Sequence, residues 1–220
     1  MERHESKTRL LEATLKVVRS KGYSATRIED VCAEAGLTKG SFFYHFKSKE
    51  ELALSAIAHW DATTSALFAT APYHDRADPL SRVIAYIEFR KAMLTGDLPD
   101  FTCFVGTIVQ EAYRTHPDLG AACERSMSGH AKTLEADIRA AMGEHGAPGG
   151  WTPESLALHT QAVIQGSYIL AKAKGSAAAA AESLDHLRRY IELVFQAPAK
   201  SGFGAVQVNC GQAGSRQLHI

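Results

Sequence analysis

The stretch Thr38–Leu52, TKGSFFYHFKSKEEL, gathers three lysines, two serines, a tyrosine, a histidine and three phenylalanines. Lys39 and Lys49 bring positive charge, while Ser41, Tyr44 and His45 bring hydrogen-bonding groups. Gly40, lacking a side chain, allows a backbone to approach a phosphate closely. Such a set fits contact with a nucleic-acid backbone. Cys103 is the other candidate for chemistry: it stands between Phe101 and Phe104, with Gly106 and Gln110 following. A thiol reacts as its thiolate, and no lysine or arginine follows it within several residues to lower its pKa. Ten histidines include no H-x-x-x-H or Cys/His cluster, so no metal site is expected. Nucleophile-elbow, phosphate-loop and dinucleotide motifs are absent too, so an enzyme would have to assemble its site from scattered residues.

The elements that must position these residues all read as helices. Leu10, Leu11, Thr14, Leu15 and Val18 form a one-sided stripe from about Ser6, and Gly22 stands where a glycine stops a helix. Thr26 and Glu29 spell a capping box for a second helix over about 27–35. Gly36 suits the sharp turn that follows, and Thr38 is the N-cap of a third, short helix through KGSFFYHF. Ser48 and Glu51 form another capping box, opening a fourth helix to about Thr70. Residues 71–79 read as a connector, with further helices over 80–94, 101–114, 117–143, 153–174 and 178–196. The expected fold is all-α, about nine helices. Residues 1–50 form a three-helix helix-turn-helix unit, 51–196 a larger helical domain, and 197–220 a disordered tail.

Composition alone suggests neither a nucleic-acid coat nor a disordered acidic protein. Of the 220 residues 45% are hydrophobic, and 24 Lys and Arg balance 24 Asp and Glu. Residues 1–50 nevertheless carry ten basic against seven acidic residues, a net +3 that leaves −3 for the remainder. The mild positive charge therefore surrounds the helix-turn-helix. No apolar run approaches the roughly 20 residues that cross a bilayer, and four widely separated cysteines fit a reduced cytoplasm.

On the third helix Phe42 and Phe46 stand at i and i+4 and can pack inward, which leaves Lys39, Ser41, Phe43, Tyr44 and His45 for the outer faces. Lys49, in the first turn of the fourth helix, can lie beside a phosphate that the helix N-terminus also favours. The whole segment TRIEDVCAEAGLTKGSFFYHFKSKEEL resembles the N-terminal DNA-binding domain of the tetracycline-repressor (TetR) family, over about residues 5–55. The resemblance implies phosphate contacts from Thr26 and Lys49, and a groove position for Thr38, Lys39, Gly40 and Ser41. Tyr44 and His45 would meet backbone or base edges. Phe43 departs from the tyrosine usual in that family, which removes a phosphate hydrogen bond but leaves a ring to touch a thymine methyl.

The same resemblance implies a homodimer that binds a palindromic operator and is released by a small molecule, with no cofactor. Val163, Gly166, Ile169, Leu187, Ile191 and Val194 are the expected dimer interface, on two helices rich in small and apolar residues. A neutral, mostly apolar effector is expected among Trp60, Phe89, Met93, Phe104, Ile108, Tyr113 and Tyr168, near Cys103. Some members of the family carry a cysteine in a similar place that reacts with electrophiles or oxidants, so a sensor acting through Cys103 is one alternative. A helical ligand-binding protein or enzyme without operator binding is another.

Overall fold

The computed structural model describes residues 3–146 and 149–196, Arg3 by its backbone only; the expected tail at 197–220 lies outside the described residues. Ten α-helices run through the chain: α1 (Arg3–Lys21), α2 (Ile28–Ala35), α3 (Lys39–His45), α4 (Lys49–Ala69), α5 (Pro79–Ala92), α6 (Leu98–Phe101), α7 (Phe104–Ala112), α8 (Pro117–His145), α9 (Pro153–Lys174) and α10 (Ala178–Gln196). A 3-10 turn, Pro72–Asp75, lies in the connector after α4. No strand occurs among the described residues. The helix beyond the expected nine is α6, a single turn between the expected helices, where Pro99 tolerates a first-turn position.

Local punctuation sets most helix ends. Gly36 adopts φ 61°, and its N–H and that of Leu37 reach back to Ala33 and Cys32, closing α2 in the left-handed turn that glycine tolerates. Thr38 Oγ1 then accepts from Ser41 N at 3.2 Å, starting α3 as expected. The box expected at Thr26 and Glu29 sits one residue later. Arg27 N donates to the Asp30 carboxylate at 2.8 Å, while the Thr26 hydroxyl turns inward and donates to the Gly22 carbonyl at 2.6 Å. Ser48 Oγ accepts from Glu51 N at 3.1 Å, but the Glu51 carboxylate reaches the N–H of Lys47 rather than that of Ser48.

Two apolar clusters hold these helices together. One joins Leu10 and Val18 of α1, Val31 of α2, Phe42 of α3 and Leu52 and Ile57 of α4 to Phe104 and Ile108 of α7 and Leu119 of α8. The expected division at residues 50 and 51 thus passes through a continuous core. The second lies among Phe68 of α4, Val83, Tyr86 and Ile87 of α5, Leu134 and Ile138 of α8, Ile164 of α9, and Leu184 and Ile191 of α10. α4 spans both clusters.

Candidate functional site

α3 is fixed from behind and open in front. Phe42 and Phe46 are 0% and 2% exposed with ring centroids 5.9 Å apart, and burying such a ring contributes about 1.5–3 kcal/mol. Phe43 and Tyr44 are 58% and 63% exposed, and Gly40 and Lys39 are exposed with them. Lys39 Nζ meets Glu29 Oε1 at 2.5 Å, a solvent-exposed pair between α3 and α2 that water and salt screen. A phosphate can compete for such a lysine. Ser41 is half-buried, its N–H spent on the Thr38 cap.

Three expected contacts are placed elsewhere. Thr26 is buried, its hydroxyl committed to Gly22, so its side chain does not reach the outer face. His45 turns toward α1, with Nε2 2.7 Å from Ser6 Oγ, and ties the short helix to the long one. Lys49 donates to the carbonyls of Tyr23 and Thr26, each at 3.1 Å, with Nζ 4.4 Å from the centre of the Tyr23 ring. Burial lowers its pKa. It braces the loop before α2 against the start of α4. Exposed cations that the motif reading passed over stand nearby in the fold: Arg27 at the start of α2 and Lys47 just after α3. Their only sequence signal is charge beside a helix end.

A cavity of about 740 Å³ opens between α4, α5, α8 and α9. Trp60, Met93, Cys103 and Tyr168 line it as expected. The other expected residues do not. Phe104 and Ile108 are fully buried in the first core because they form the inward stripe of α7. Phe89 stands behind Phe68 and Tyr73, with ring centroids 5.6 and 5.8 Å away. Tyr113, at the C-cap of α7, is 61% exposed.

The cavity is also less apolar than expected. Arg90 of α5 enters it, only 9% exposed. Its Nη2 donates to the Tyr168 hydroxyl at 2.8 Å and its Nη1 lies 3.3 Å from His130 Nε2. His130 Nε2 is 2.9 Å from the Tyr86 hydroxyl, which in turn accepts from Gln161 Nε2 at 3.1 Å. Burial, and then the neighbouring Arg90 charge, push the His130 pKa down to about 4, so the imidazole is neutral near pH 7. Sequence reasoning missed this cluster. A signal existed, because Arg90 falls in the inward register of Val83, Tyr86 and Ile87.

Cys103 is the N-cap of α7, and its Sγ accepts from Gly106 N at 3.3 Å. The fold brings near it cations that its sequence neighbours lack: Arg19 and Arg90 line the cavity with it, and Lys172 and Arg19 line an adjoining groove that Cys103 also borders. Among the described residues one exposed or half-buried trio with a histidine forms, Asp78, Glu144 and His145, whose ligand atoms lie within 4.8 Å of one another. Asp78 already caps α5 through Ser81 N and pairs with His145 at 2.5 Å.

An outward helix pair, α2 and α3, on a body whose long helices enclose a cavity is the arrangement of a sensor joined to a nucleic-acid reader. Residues 10–56 match the domain described as bacterial regulatory proteins, tetR family, and residues 79–187 match the tetracyclin repressor-like C-terminal domain. The chain belongs to the TetR family. A TetR-family transcriptional regulator from Agrobacterium tumefaciens shares its fold, with a TM-score of 0.76 at 17% identity over 86% of this chain and 98% of that one. Among curated relatives, YerO of Bacillus subtilis (strain 168), an uncharacterized HTH-type transcriptional regulator, is 40% identical over 57 residues, which are 26% of this chain and 20% of that protein. The transcriptional regulator AcuR of Cereibacter sphaeroides is 26% identical over 113 residues, 51% of this chain and 52% of its own. The chain thus spans between a fifth and about half the length of these two relatives.

In this TetR-family chain α9 and α10 pack side by side and carry an exposed apolar face: Leu158, Ile169 and Leu170 on one, Tyr190 and Leu193 on the other. Ile169 is the expected interface residue that stands fully in it. Gly166 is half-buried, with open space where a Cβ would be, and Val163 and Val194 are half-buried at the edge of the second core. Leu187 and Ile191 are 2% and 0% exposed within the chain's own core, because they form the inward stripe of α10. Among the described residues no helix is long and apolar enough to cross a membrane.

Proposed function

We propose that this protein is a ligand-responsive, operator-binding transcriptional repressor that works in the cytoplasm as a homodimer, and not an enzyme. The observation that carries the reading is α4. Its first half packs Leu52 and Ile57 into the core behind α3, and its second half presents Trp60, Thr64, Leu67 and Phe68 to the cavity. A molecule seated there presses on the same rigid helix that supports the recognition helix. In a dimer joined through the outward face of α9 and α10, α3 of each subunit enters a major groove, with centres about 34 Å apart. Tilting α4 changes that spacing and releases the operator, and by reciprocity the operator weakens ligand binding.

The reader face comprises Thr38, Lys39, Gly40, Phe43 and Tyr44, with Arg27 and Lys47 supplying further phosphate contacts. Selection of genomic fragments by the purified protein is expected to return a palindrome. Tyr44→Ala should weaken binding to it at least tenfold while the circular dichroism stays helical. A variant that binds the palindrome as tightly as the native chain would sink the groove assignment.

A second reading is favoured by the setting of Cys103, at a helix N-terminus and bordering cavities that Arg19, Arg90 and Lys172 also line. There the Cys103 sulfur would add to a ring carbon of a quinone-like acceptor, the thiol proton passing to the acceptor, and the adduct would trigger release. Cys103→Ser should then keep operator binding and lose release by quinone-like compounds; an unchanged response removes this reading.

A further inference from the structure

The part of the cavity around Arg90 is built around a charge that no carboxylate among the described residues neutralises. Arg90 is 9% exposed, and no Asp or Glu among the described residues pairs with it. Its neighbours are neutral: the hydroxyls of Tyr168 and Tyr86, the unprotonated His130, and the rings of Phe68, Tyr86 and Tyr168, whose centroids lie 5.2, 6.0 and 6.0 Å from Cζ. Aromatic faces and hydroxyls soften the desolvation of a guanidinium, but they do not replace a counter-ion. Of the five N–H donors that a guanidinium carries, the side chain spends one on Tyr168 and one toward His130, and Nε is buried with no partner at all. The Tyr168 hydroxyl, accepting from Arg90, keeps its own proton to give.

We propose that Arg90 anchors the effector, and that the cavity takes an organic monocarboxylate with an aromatic or alkyl body. The inference rests on the effector reading of the cavity given above. A carboxylate matches the planar donor fork of arginine, and a charge-assisted pair of this kind is strongest where water is excluded. With His130 neutral, the site holds one positive charge, which a monoanion balances and a phosphate dianion overshoots. The remaining charged lining is engaged or open to solvent. Arg19 bonds the carbonyls of Leu15 and Asp100 and lies over Trp60, Asp61 accepts from Ser126, Asp100 accepts from Asp97 N, and Arg125 is exposed. Trp60, Leu67, Phe68, Met93, Phe101 and Met127 then enclose the body of the acid, in a volume of about 740 Å³ that fits a drug-sized molecule.

Calorimetric titration of the DNA-free, full-length protein with matched pairs tests the idea: 1-naphthoate against 1-naphthamide, and octanoate against octanamide. Each acid is expected to bind at least about tenfold more tightly than its amide. Arg90→Met should abolish that preference while leaving amide binding in place. Should that variant fail to fold, Tyr168→Phe should shrink the preference with the guanidinium intact. Amides binding as tightly as acids would overturn the proposal, as would no acid binding below about 1 mM. An acid preference surviving in Arg90→Met or undiminished in Tyr168→Phe would do the same, and octyl phosphate outbinding octanoate would overturn the monocarboxylate class. Operator release is measured separately. Acids that bind but release nothing break the effector reading and leave the anchor standing, whereas release by neutral compounds alone keeps that reading and removes the anchor.

Discussion

The two cores of this chain are built by opposite rules. The one behind α3 is dry and apolar, with Leu10, Val31 and Phe42 fully excluded from water. The one between α5, α8 and α9 encloses Arg90, His130, Gln161 and two tyrosine hydroxyls beside its leucines and isoleucines. A reader head must hold a short helix rigidly, and apolar packing does that without directional demands. A sensor needs a place that is incomplete until something enters it. Buried polar groups with unspent donors make such a place at a cost in stability, because each one stripped of water wants a partner. The difference teaches that the first core serves the fold and the second serves occupancy.

The comparison breaks first at Phe42. Phe42→Ala empties a ring-sized space in the dry core and should cost about 3–5 kcal/mol, with operator binding lost because α3 loses its backing. Chemical denaturation measures the loss; a cost below about 1 kcal/mol would mean that the core collapses onto the gap and the head is not rigidly packed. The polar core gives the next effect. His130 has a folded pKa of about 4 against an ordinary value of 6.5, so the unfolded chain binds its proton first as pH falls. Stability from this group is fully present above about pH 6.5 and declines between there and pH 4, by roughly 2–3 kcal/mol. The native chain should therefore lose more stability than His130→Gln on going from pH 7 to pH 4. Equal losses in the two proteins would show that His130 is not held neutral by its surroundings.

How much of this was legible in the sequence divides along the same line. α9 and α10 lie at their expected bounds, and Thr152, Pro153 and Gly175 punctuate α9 through backbone effects that need no tertiary partner. The inward role of Phe42 and Phe46 followed from i, i+4 spacing alone. What escaped depends on where distant segments meet. Thr26 and Asp30 compete for the start of α2, and burial of the threonine decides it. Leu187 and Ile191 belong to an apolar stripe, but no pattern within α10 says whether that stripe meets its own chain or a second copy. Arg90 meets His130 and Tyr168 across 40 and 78 residues. Cys103 shares its cavities with Arg19 of α1, Arg90 of α5 and Lys172 of α9, none of them near it in sequence.

The smallest expected effect separates two roles for one lysine at the rim of the dry core. Sequence resemblance gives Lys49 a phosphate; the folded chain gives it the carbonyls of Tyr23 and Thr26 and the face of the Tyr23 ring. A lysine held this way touches no phosphate, so it adds nothing to the counter-ions released by direct contact when DNA arrives. Lys49→Met, which keeps most of the aliphatic stem, should cost about 1–2 kcal/mol through two lost hydrogen bonds to carbonyls. It should leave the slope of log K against log salt unchanged for operator binding. A slope shallower by about one would mean that Lys49 leaves its brace for a phosphate when the operator binds. In that case the loop before α2 would be looser on DNA than off it, and the head would owe its order to its apolar core and the His45–Ser6 tie.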